Sequence, residues 1–515
     1  LVPRAAHQGR PIGSKWVYRI KRDKDGAIAK FKSRLVATGF SEILGQSYMS
    51  DEVYAPVVSY DSLRTMLSIA NQRGWDLHQS DVSNAYLQSY LPRPQYMTQP
   101  KGFERTGPKG EPLVCKLQRG LYGTKSGGYH WNRTLTEFMR SIGFSQLTGD
   151  PCFHKLNHDQ ALKADPNTPE GECWVCAYVD DLTIATSSPA IYDWFIGKLG
   201  DRFPINASES GELDWILSMR IQRDRKAGTL TLTQDAAIDK LYRSMGLDDG
   251  RPRARVTTPM TAQRLTKCSK PEFSKEDFDY LSIIGSLLHI NMLTRPDISF
   301  AVNALTRHAS CPSMEHAKAL RRLVIYCYDT KHLGVTYHRD GHTSCPEVYE
   351  GGMHPLTTPH NHMQVFADSD YAQDYTRRST SGMVVMMNGG PITWSSKLQK
   401  SCAQSTAEAE VIAATEAVKE ALHLQLLLEE LGVVAQETKI TILEDNAACI
   451  AQGAELRNRR AAKHYEVRLR FLQDHVLQKH VEFVYCPTKD QLADGFSKPL
   501  DRLLFLDHRR QILGH

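Results

Sequence analysis

Two adjacent aspartates enclosed by apolar runs constrain this chain more than any other stretch. Residues 176–184 (CAYVDDLTI) place Asp180 and Asp181 between two segments that have the composition of buried strands. Each carboxylate raises the cost of ionising the other, so the pair needs an explanation. One interpretation is a solvated hairpin turn, in which Asp is common. The other is a metal site.

A metal site here would need a further carboxylate, because two divalent ions about 3.5 to 4 Å apart require bridging and flanking oxygen ligands. The best candidate is Asp81, which stands where a predicted strand (residues 76–80) gives way to a predicted helix (residues 82–88). We therefore expect Asp81 at the end of a sheet, beside the hairpin tip. Tyr86 follows on the first turns of that helix, either under the same site or as an ordinary core residue.

The positive charge of the chain is small but unevenly distributed. The net charge is +5, yet residues 15–34 hold eight Lys or Arg against two Asp. Their alternation around Asp25 and Gly26 predicts a β-hairpin with one basic face. A second basic cluster, residues 457–470, carries six Lys or Arg and one Glu. Each cluster alone is compatible with a solvated surface, whereas two in one chain favour a polyanionic partner.

The length and composition of the chain limit its class. A chain of 515 residues predicts about three or four folding units. Hydrophobic residues make up 41% and charged residues 23%, as in soluble globular proteins, and no apolar run is long enough to span a bilayer, so we expect no membrane partner. Eleven thinly spread cysteines favour reduced thiols in the cytosol. Because the first residue is Leu1, we expect a piece of a longer polypeptide.

The C-terminal third of the chain has a different pattern from the rest. A polar stretch, residues 338–363, has little apolar periodicity and predicts an interdomain linker. Beyond it the order of elements is three strands, a long helix, a strand, a helix and a late strand, which predicts an α/β layer with a mixed sheet. Ser405 and Glu408 predict a capping box at the start of the long helix, and Gly432 predicts its end.

Four acidic residues in this part stand where an α/β sheet would bring them together. They are Asp368 and Asp445, each at the end of a predicted strand, Glu410 on the first turns of the long helix, and Asp494 in the late segment 488–500. Four carboxylates from four elements is the arrangement that two metal ions require. Taken singly, acidic neighbours such as Asp370, Glu408 and Glu444 are equally compatible with solvent-facing positions.

Several stretches resemble a known family. Residues 15–39, 77–87, 177–184 and 281–302 resemble the reverse transcriptase of copia-type LTR retrotransposons. The segments AEAEVIAATEAVKEAL, EDNAACIA and AAKHYEVRLRF resemble the ribonuclease H domain of the same elements. The resemblance spans nearly the whole chain and corresponds to the C-terminal part of a copia-type Pol polyprotein.

The resemblance implies a multidomain fold of α+β and α/β type. Its parts would be a right-hand polymerase with fingers, palm and thumb, followed by a ribonuclease H-like α/β domain with a mixed sheet. The domains we expect are fingers and palm (1–204), primer grip, thumb and connecting helices (205–337), linker (338–363) and ribonuclease H domain (364–515).

The resemblance also implies two activities. One is an RNA- and DNA-directed DNA polymerase that copies retrotransposon RNA, and the other is a ribonuclease H that cleaves the RNA strand of RNA/DNA hybrids. Two Mg²⁺ ions are implied at each active site, with Mn²⁺ as a possible replacement. The implied ligands are Asp81, Asp180 and Asp181 for the polymerase, and Asp368, Glu410, Asp445 and Asp494 for the nuclease.

The residues around the incoming nucleotide follow from the same resemblance. Tyr86 corresponds to an aromatic steric gate, whose ring would clash with a ribose 2′-OH. Lys32 and Arg34 match cations near the triphosphate, and which of the two contacts phosphate stays open. Residues 215–219 resemble the primer grip, the hairpin that positions the primer 3′ end.

The chain departs from the family pattern in two places. Where the family has LYGLKQAPRAW, residues 121–131 are LYGTKSGGYHW, so Ser126 and Gly128 replace a Gln and a Pro. This change puts contacts in the nucleotide pocket in doubt. The His that some ribonucleases H place shortly before their last Asp is also absent, and His464 is a candidate substitute, although a lone His is more often structural.

The implied partners are an RNA template, a DNA or tRNA primer, an RNA/DNA hybrid and deoxynucleoside triphosphates. The implied location is the cytoplasm, within virus-like particles. Two rival hypotheses stay open: a domesticated or decayed element protein that binds the hybrid without catalysis, and a polymerase whose nuclease domain is only structural. The presence of all seven acidic residues argues against the first rival.

Overall fold

The computed structural model describes residues 1–7, 9–22, 28–250, 252–263, 265–275, 278–340, 360–436, 438–454 and 465–515. Most of the predicted linker and most of the second basic cluster lie outside the described residues. Asp25, Gly26 and His464 also lie outside the described residues. None of the described helices is long and apolar enough to cross a membrane.

The described chain contains both strands and helices, in the order given by their residue numbers. The strands are β1 (Val2–Pro3), β2 (Ser14–Arg22), β3 (Ile28–Ala37), β4 (Asp76–Asp81), β5 (Tyr90–Met97), β6 (Leu113–Arg119), β7 (Phe144–Gln146), β8 (Phe153–Leu156), β9 (Cys173–Tyr178), β10 (Asp181–Thr186), β11 (Gly211–Glu212), β12 (Trp215–Ile216), β13 (Met219–Asp224), β14 (Thr229–Thr233), β15 (Val335–His338), β16 (Gln364–Asp370), β17 (Thr380–Met387), β18 (Gly390–Leu398), β19 (Ile440–Glu444) and β20 (Val481–Tyr485). The helices are α1 (Tyr60–Arg73), α2 (Gly127–Ser141), α3 (His158–Ala164), α4 (Pro189–Arg202), α5 (Asp235–Ser244), α6 (Tyr280–Leu293), α7 (Ser299–Thr306), α8 (Met314–Asp329), α9 (Thr406–Glu430), α10 (Ala447–Ala454), α11 (Glu466–Leu477), α12 (Asp494–Ser497) and α13 (Arg502–Leu513).

The chain divides into two compact units whose boundaries interleave along the sequence. The first unit contains Leu1–Ser59 and His78–Glu212, and the second contains Tyr60–Leu77 and Leu213–His515. The domain boundaries that we expect from the resemblance stay a prediction.

A six-stranded sheet in the order β11-β4-β10-β9-β8-β7 forms the centre of the first unit. Its core includes Trp131 and Leu135 of α2, Phe195 of α4, and Val175 and Ile184 of the sheet. The helices cover this sheet because their apolar residues recur at helical spacing. The hairpin of β9 and β10 is thereby held between buried neighbours, with its turn at the end of the sheet.

The predicted basic hairpin forms in the same unit. Strands β2 and β3 pair antiparallel, with Arg19 opposite Lys32 and Val17 opposite Arg34. Residues opposite one another and two apart along a strand share a face, so Arg19, Lys32 and Arg34 lie on one face. Tyr18 and Phe31 lie on the other. The prediction of a hairpin with one basic face is confirmed.

The second unit holds a four-stranded antiparallel sheet (β12-β13-β14-β15) and a five-stranded sheet in the order β18-β17-β16-β19-β20. In the larger sheet β18, β17 and β16 pair antiparallel, whereas β19 pairs parallel with both β16 and β20. The prediction of an α/β layer with a mixed sheet is confirmed. The helix α9 packs on this sheet through a nearly continuous buried face.

Two local predictions were wrong. Residues 82–88 do not form an α-helix: only Ala85–Gln88 form one 3-10 turn, because Asn84 has a positive φ of 52° and breaks regular helix geometry. Asp368 lies inside β16, which continues to Asp370, because the antiparallel pairing with β17 extends that far.

Candidate active sites

The turn between β9 and β10 presents the paired aspartates. Tyr178 pairs with Asp181, so Val179 and Asp180 form a two-residue loop, and the hairpin-turn interpretation is confirmed. Val179 has a positive φ of 60°, which is rare for a β-branched residue and marks stored strain. The buried Trp131 donates a hydrogen bond from Nε1 to the Val179 carbonyl oxygen at 2.6 Å. This contact holds the strained loop in place.

The Trp131→Phe variant tests this contact. We expect it to lower the free energy of unfolding by roughly 2–4 kcal/mol, because it leaves a carbonyl group without its donor and opens a gap in the core. Trp194→Phe is the matched control, since the Trp194 indole donates to Asp165 at the edge of the core. Thermal unfolding of both variants is the measurement, and equal losses would contradict the special role of Trp131.

Asp81 and Asp180 lie at the ends of neighbouring strands. Asp81 is the last residue of β4, which lies beside β10 in the sheet. The backbone N–H of Val82 donates to the Asp180 carbonyl oxygen at 3.0 Å, and Asn206 Nδ2 donates to Asp81 Oδ2 at 3.3 Å. Asp181 is exposed at the start of β10. The three carboxylates are therefore at one sheet end, although their oxygens are not all within 4.8 Å of one another.

Aromatic rings connect this sheet end to the basic hairpin. The rings of Tyr86 and Tyr122 stack at a centroid distance of 4.6 Å, and the Arg34 guanidinium lies 5.3 Å from the centre of the Tyr122 ring. Burial, and then the Asp180 carboxylate, raise the pKa of Tyr122 to about 12. The same two causes raise the pKa of Tyr86. Tyr86 and Tyr122 therefore lie near Asp180, while Lys32 shares the hairpin face of Arg34.

The departure from the family pattern lies against Tyr86. A Cβ atom at Gly128 would be 2.9 Å from the Ala55 Cβ and 3.3 Å from the Tyr86 Oη. Ser126 is buried, and Gln95 Nε2 donates to its hydroxyl at 3.4 Å. The lack of a side chain at Gly128, where the family has Pro, therefore lets Tyr86 pack closely on the start of α2.

Three acidic residues of the second unit form a compact cluster. Ligand oxygens of Asp368, Glu410 and Asp445 all lie within 4.8 Å of one another, and no other such group occurs in the described part of the chain. They come from β16, from the second turn of α9 and from the residue after β19. The α9 cap places Glu410, because Ser405 Oγ accepts from the Glu408 N–H at 3.1 Å. Three of the four expected carboxylates thus lie together, with Asp494 beside the cluster.

Asp494 joins the cluster through its neighbours. It begins α12, where Ser497 Oγ donates to Asp368 Oδ2 and Lys498 Nζ donates to Asp494 Oδ1 at 2.8 Å. Burial opposes the charge on Lys498, but the Asp368 and Asp494 carboxylates raise its pKa. One lysine therefore partly offsets the negative charge of the cluster.

The cluster carries more negative charge than its protein surroundings can stabilise. Burial, and then Glu444, Asp368 and Asp445, raise the pKa of Glu410 to about 10. Burial and then Asp368 raise the pKa of Asp494 to about 7, and burial also raises the pKa of Asp368. Glu410 Oε2 is buried without a hydrogen-bond partner among the described residues. Crowded, undersatisfied carboxylate oxygens are what a hard divalent cation requires, so these residues fit a metal site.

The pKa of Glu410 predicts a pH-dependent stability of the metal-free protein. Between about pH 4.5 and about pH 10, the folded protein keeps a proton on Glu410 that the unfolded chain has released. Stability without metal therefore falls as pH rises through this range. Glu410→Gln removes the need for that proton, so we expect it to raise the free energy of unfolding by roughly 1–3 kcal/mol at pH 8 and by much less near pH 5.

Thermal unfolding in EDTA at the two pH values measures this difference. Glu416→Gln on the same helix is the control, because Glu416 is exposed and pairs with Lys419 at the surface. A gain from Glu410→Gln that is equal at pH 5 and pH 8 would contradict the assigned cause.

Several residues of the two sites were not predicted. Asp370, Glu408 and Glu444, for which solvent-facing positions were an open alternative, are all buried, and Glu444 is 0% exposed. Burial raises the pKa of Glu444 well above its usual range. Trp131, Ser497 and Lys498 had no local signal for their contacts, although Lys498 stands four residues after Asp494, a spacing that places two side chains on one side of a helical turn.

Comparison with known proteins identifies relatives over almost the full length of the chain. Residues 2–262 match the family model described as reverse transcriptase (RNA-dependent DNA polymerase). The retrovirus-related Pol polyprotein from transposon TNT 1-94 of Nicotiana tabacum is 31% identical over 96% of this chain and 35% of its own length. The corresponding polyprotein from transposon RE1 of Arabidopsis thaliana is 31% identical over 99% of this chain and 32% of its own. The chain thus spans about a third of the length of these relatives.

A shorter relative is covered almost completely. The putative transposon Ty5-1 protein of Saccharomyces cerevisiae is 30% identical over 66% of this chain and 99% of its own length. Among solved structures, a foamy virus protease-reverse transcriptase is 13% identical over 96% of this chain and 51% of its own, with a TM-score of 0.22. LC11-RNase H1 is 17% identical over 28% of this chain and 99% of its own, also with a TM-score of 0.22. These TM-scores are too low to establish a shared fold.

The sequence matches decide the family. The reverse transcriptase model covers half of the chain, including the β9–β10 turn and Asp81, and the similarity to plant transposon polyproteins continues through the carboxylate cluster of the second unit. The chain therefore belongs to the reverse transcriptase family, among the Pol polyproteins of copia-type retrotransposons.

Proposed function

We propose that the chain is a reverse transcriptase that copies retrotransposon RNA into DNA and also cleaves the RNA strand of RNA/DNA hybrids. Family membership supports the polymerase. The observation that carries the second activity is the cluster of Asp368, Glu410 and Asp445, whose ligand oxygens lie within 4.8 Å of one another. Such a cluster on a mixed sheet matches the requirement of metal-assisted phosphodiester hydrolysis.

Carboxylates would hold divalent ions at both sites. Asp81, Asp180 and Asp181 would bind them at the polymerase site, and Asp368, Glu410, Asp445 and Asp494 at the nuclease site. Bound Mg²⁺ would supply activation of the attacking oxygen and neutralisation of charge on the phosphate, and Mn²⁺ is a possible replacement. The strained Val179 turn directs Asp180 and Asp181 beyond the sheet, while Asn206 orients Asp81.

The remaining residues of the polymerase site would bind the nucleotide and the primer. The half-buried ring of Tyr86, fixed by its stack on Tyr122, would exclude a ribose 2′-OH. Arg34 is better supported than Lys32 as the phosphate contact, because its guanidinium lies over the Tyr122 ring and a planar cation can bind phosphate oxygens in pairs. The hairpin of β12 and β13, with its turn at Leu217 and Ser218, would serve as the primer grip.

At the nuclease site, the chain's own side chains keep the carboxylates in position. Ser497 donates to Asp368, and Lys498 donates to Asp494. The hydrolysed strand would be RNA, because recognition of a 2′-OH distinguishes it from DNA.

Metal removal and replacement test the proposal. The purified chain, given an end-labelled DNA primer on a labelled RNA template, deoxynucleoside triphosphates and Mg²⁺, should extend the primer and shorten the RNA. EDTA should abolish both reactions, and excess Mg²⁺ should restore them. If the chain retains the primed template by gel shift but shows neither reaction with Mg²⁺ or Mn²⁺, it is a binding protein and the proposal is wrong.

A further inference from the structure

A cavity of about 650 Å³ lies within the second unit and has no role in the functions proposed so far. Its size is typical of small-molecule sites. The loop after β16, the helix α7 and the pair Lys498 and Pro499 line it, together with Met260, Ala262, Gln263, Leu265 and Thr266.

The side chains that line the cavity are of two kinds. Met260, Leu265, Phe300 and Pro499 are apolar, and we call them the Phe300 wall. The cations Arg377 and Lys498 line the cavity together with the ring of Tyr371, and we call these three the Arg377 wall. The carboxylates of Asp370 and Asp374 also line the cavity, and Asp374 is paired with Arg307. A ligand that contacts both walls has a flat apolar part and a negative charge, which is the combination found in a nucleotide.

The loop that carries Arg377 is built rigidly. Asp374 accepts from Arg307 Nη1 at 2.8 Å in a largely buried ion pair, and its other oxygen accepts from the Thr376 N–H at 2.8 Å. Arg377 has a positive φ of 60°, and its N–H donates to the Asp374 carbonyl oxygen at 2.8 Å. Strain of this kind persists where the surrounding structure holds it, often at binding sites. The Arg377 side chain is nonetheless exposed at the cavity.

The cavity adjoins the carboxylate cluster. Ser369 and Asp370, which follow Asp368 on β16, line it. Lys498 also lines it while donating to Asp494. The cavity and the cluster therefore share Lys498 and lie along the same part of β16, within reach of one bound strand.

We infer that the cavity binds one unpaired nucleotide of the strand that enters the carboxylate cluster, with the base against the Phe300 wall and the phosphate at Arg377. This inference rests on the proposed nuclease function. A paired base would have to leave its duplex at a cost, so the nucleotide is one at a single-stranded end of the hybrid. Arg378, the next residue along the chain, is exposed but does not line the cavity.

Calorimetric titration of the full chain in EDTA tests the inference with adenosine 5′-monophosphate, adenosine and ribose 5-phosphate as probes. The monophosphate should bind saturably and about tenfold more tightly than either fragment, because only it contacts both walls. Arg377→Ser should weaken the affinity for the monophosphate about tenfold and leave the affinity for adenosine unchanged. Arg378→Ser should leave both affinities unchanged. Weaker binding of the monophosphate by Arg377→Ser would also show that the monophosphate binds at this cavity and not at the nucleotide site near Tyr86.

Three results would overturn the inference: no saturable binding, equal affinity of the monophosphate and ribose 5-phosphate, or equal weakening by Arg377→Ser and Arg378→Ser. Hybrid cleavage by the wild-type chain, measured separately with Mg²⁺, distinguishes the two proposals. Cleavage without nucleotide binding removes only the cavity inference. Nucleotide binding without cleavage would contradict the proposed nuclease function. The bound nucleotide could then no longer be assigned to a strand that is cleaved.

Discussion

Asp181→Asn should reduce primer extension roughly a thousandfold, because loss of a metal ligand removes several kcal/mol of transition-state stabilisation. Asp181 is exposed at the first position of β10, so the substitution adds no polar group to the core. Asn keeps the size of the side chain and removes its charge. We therefore expect thermal unfolding and hybrid cleavage to stay at wild-type values.

Single-nucleotide incorporation on a primed RNA template is the measurement for Asp181→Asn. Asp193→Asn, also in the first unit and exposed on α4, is the control for the loss of one surface charge and should extend primers normally. If Asp181→Asn retained more than about a tenth of wild-type extension, the side chain would not be a ligand of the essential ions.

Glu410→Gln should have the converse effect. We expect it to reduce hybrid cleavage roughly a thousandfold, since Glu410 is a member of the only compact carboxylate group among the described residues. The same substitution removes a buried carboxylate, so the metal-free protein should become more stable at pH 8. Loss of activity together with a gain of stability is expected of a functional site in which buried carboxylates repel one another.

The readout for Glu410→Gln is the single-turnover rate of RNA cleavage in a preformed hybrid. Glu416→Gln, on the exposed side of α9, should cleave at the wild-type rate. Lower cleavage accompanied by lower stability would point to misfolding rather than to the loss of a metal ligand.

Local chemistry made parts of the fold predictable from the sequence. The β9–β10 hairpin follows from two apolar runs around a polar dipeptide, and the structure places its loop at Val179 and Asp180. The long helix begins after Ser405 and ends before Gly432, whose φ of 68° only glycine adopts at little cost. These features depend on neighbours within a few residues.

Other features depend on contacts between distant segments and have no local signal. The segment after Asp81 has helix-like spacing, but Asn84 adopts a left-handed conformation and only one 3-10 turn follows. The burial of Glu444 depends on which face of β19 meets α9, and the partners of that strand are far away in sequence. Ser497 donates to Asp368 across a separation of 129 residues.

The candidate sites show the same division. Pattern and resemblance together proposed the seven carboxylates, and the structure brings Asp368, Glu410 and Asp445 to within 4.8 Å. The residues that support them, such as Trp131 and Ser497, act through tertiary contacts. The roles of all these residues in catalysis stay predictions until the variants are measured.

The most direct test of two separate catalytic sites is to measure both reactions in both variants, on one doubly labelled primer-template with Mg²⁺. We predict that Asp181→Asn loses extension and keeps RNA cleavage, and that Glu410→Gln keeps extension and loses RNA cleavage. Equal loss of both reactions in each single variant would contradict the assignment of two separate sites.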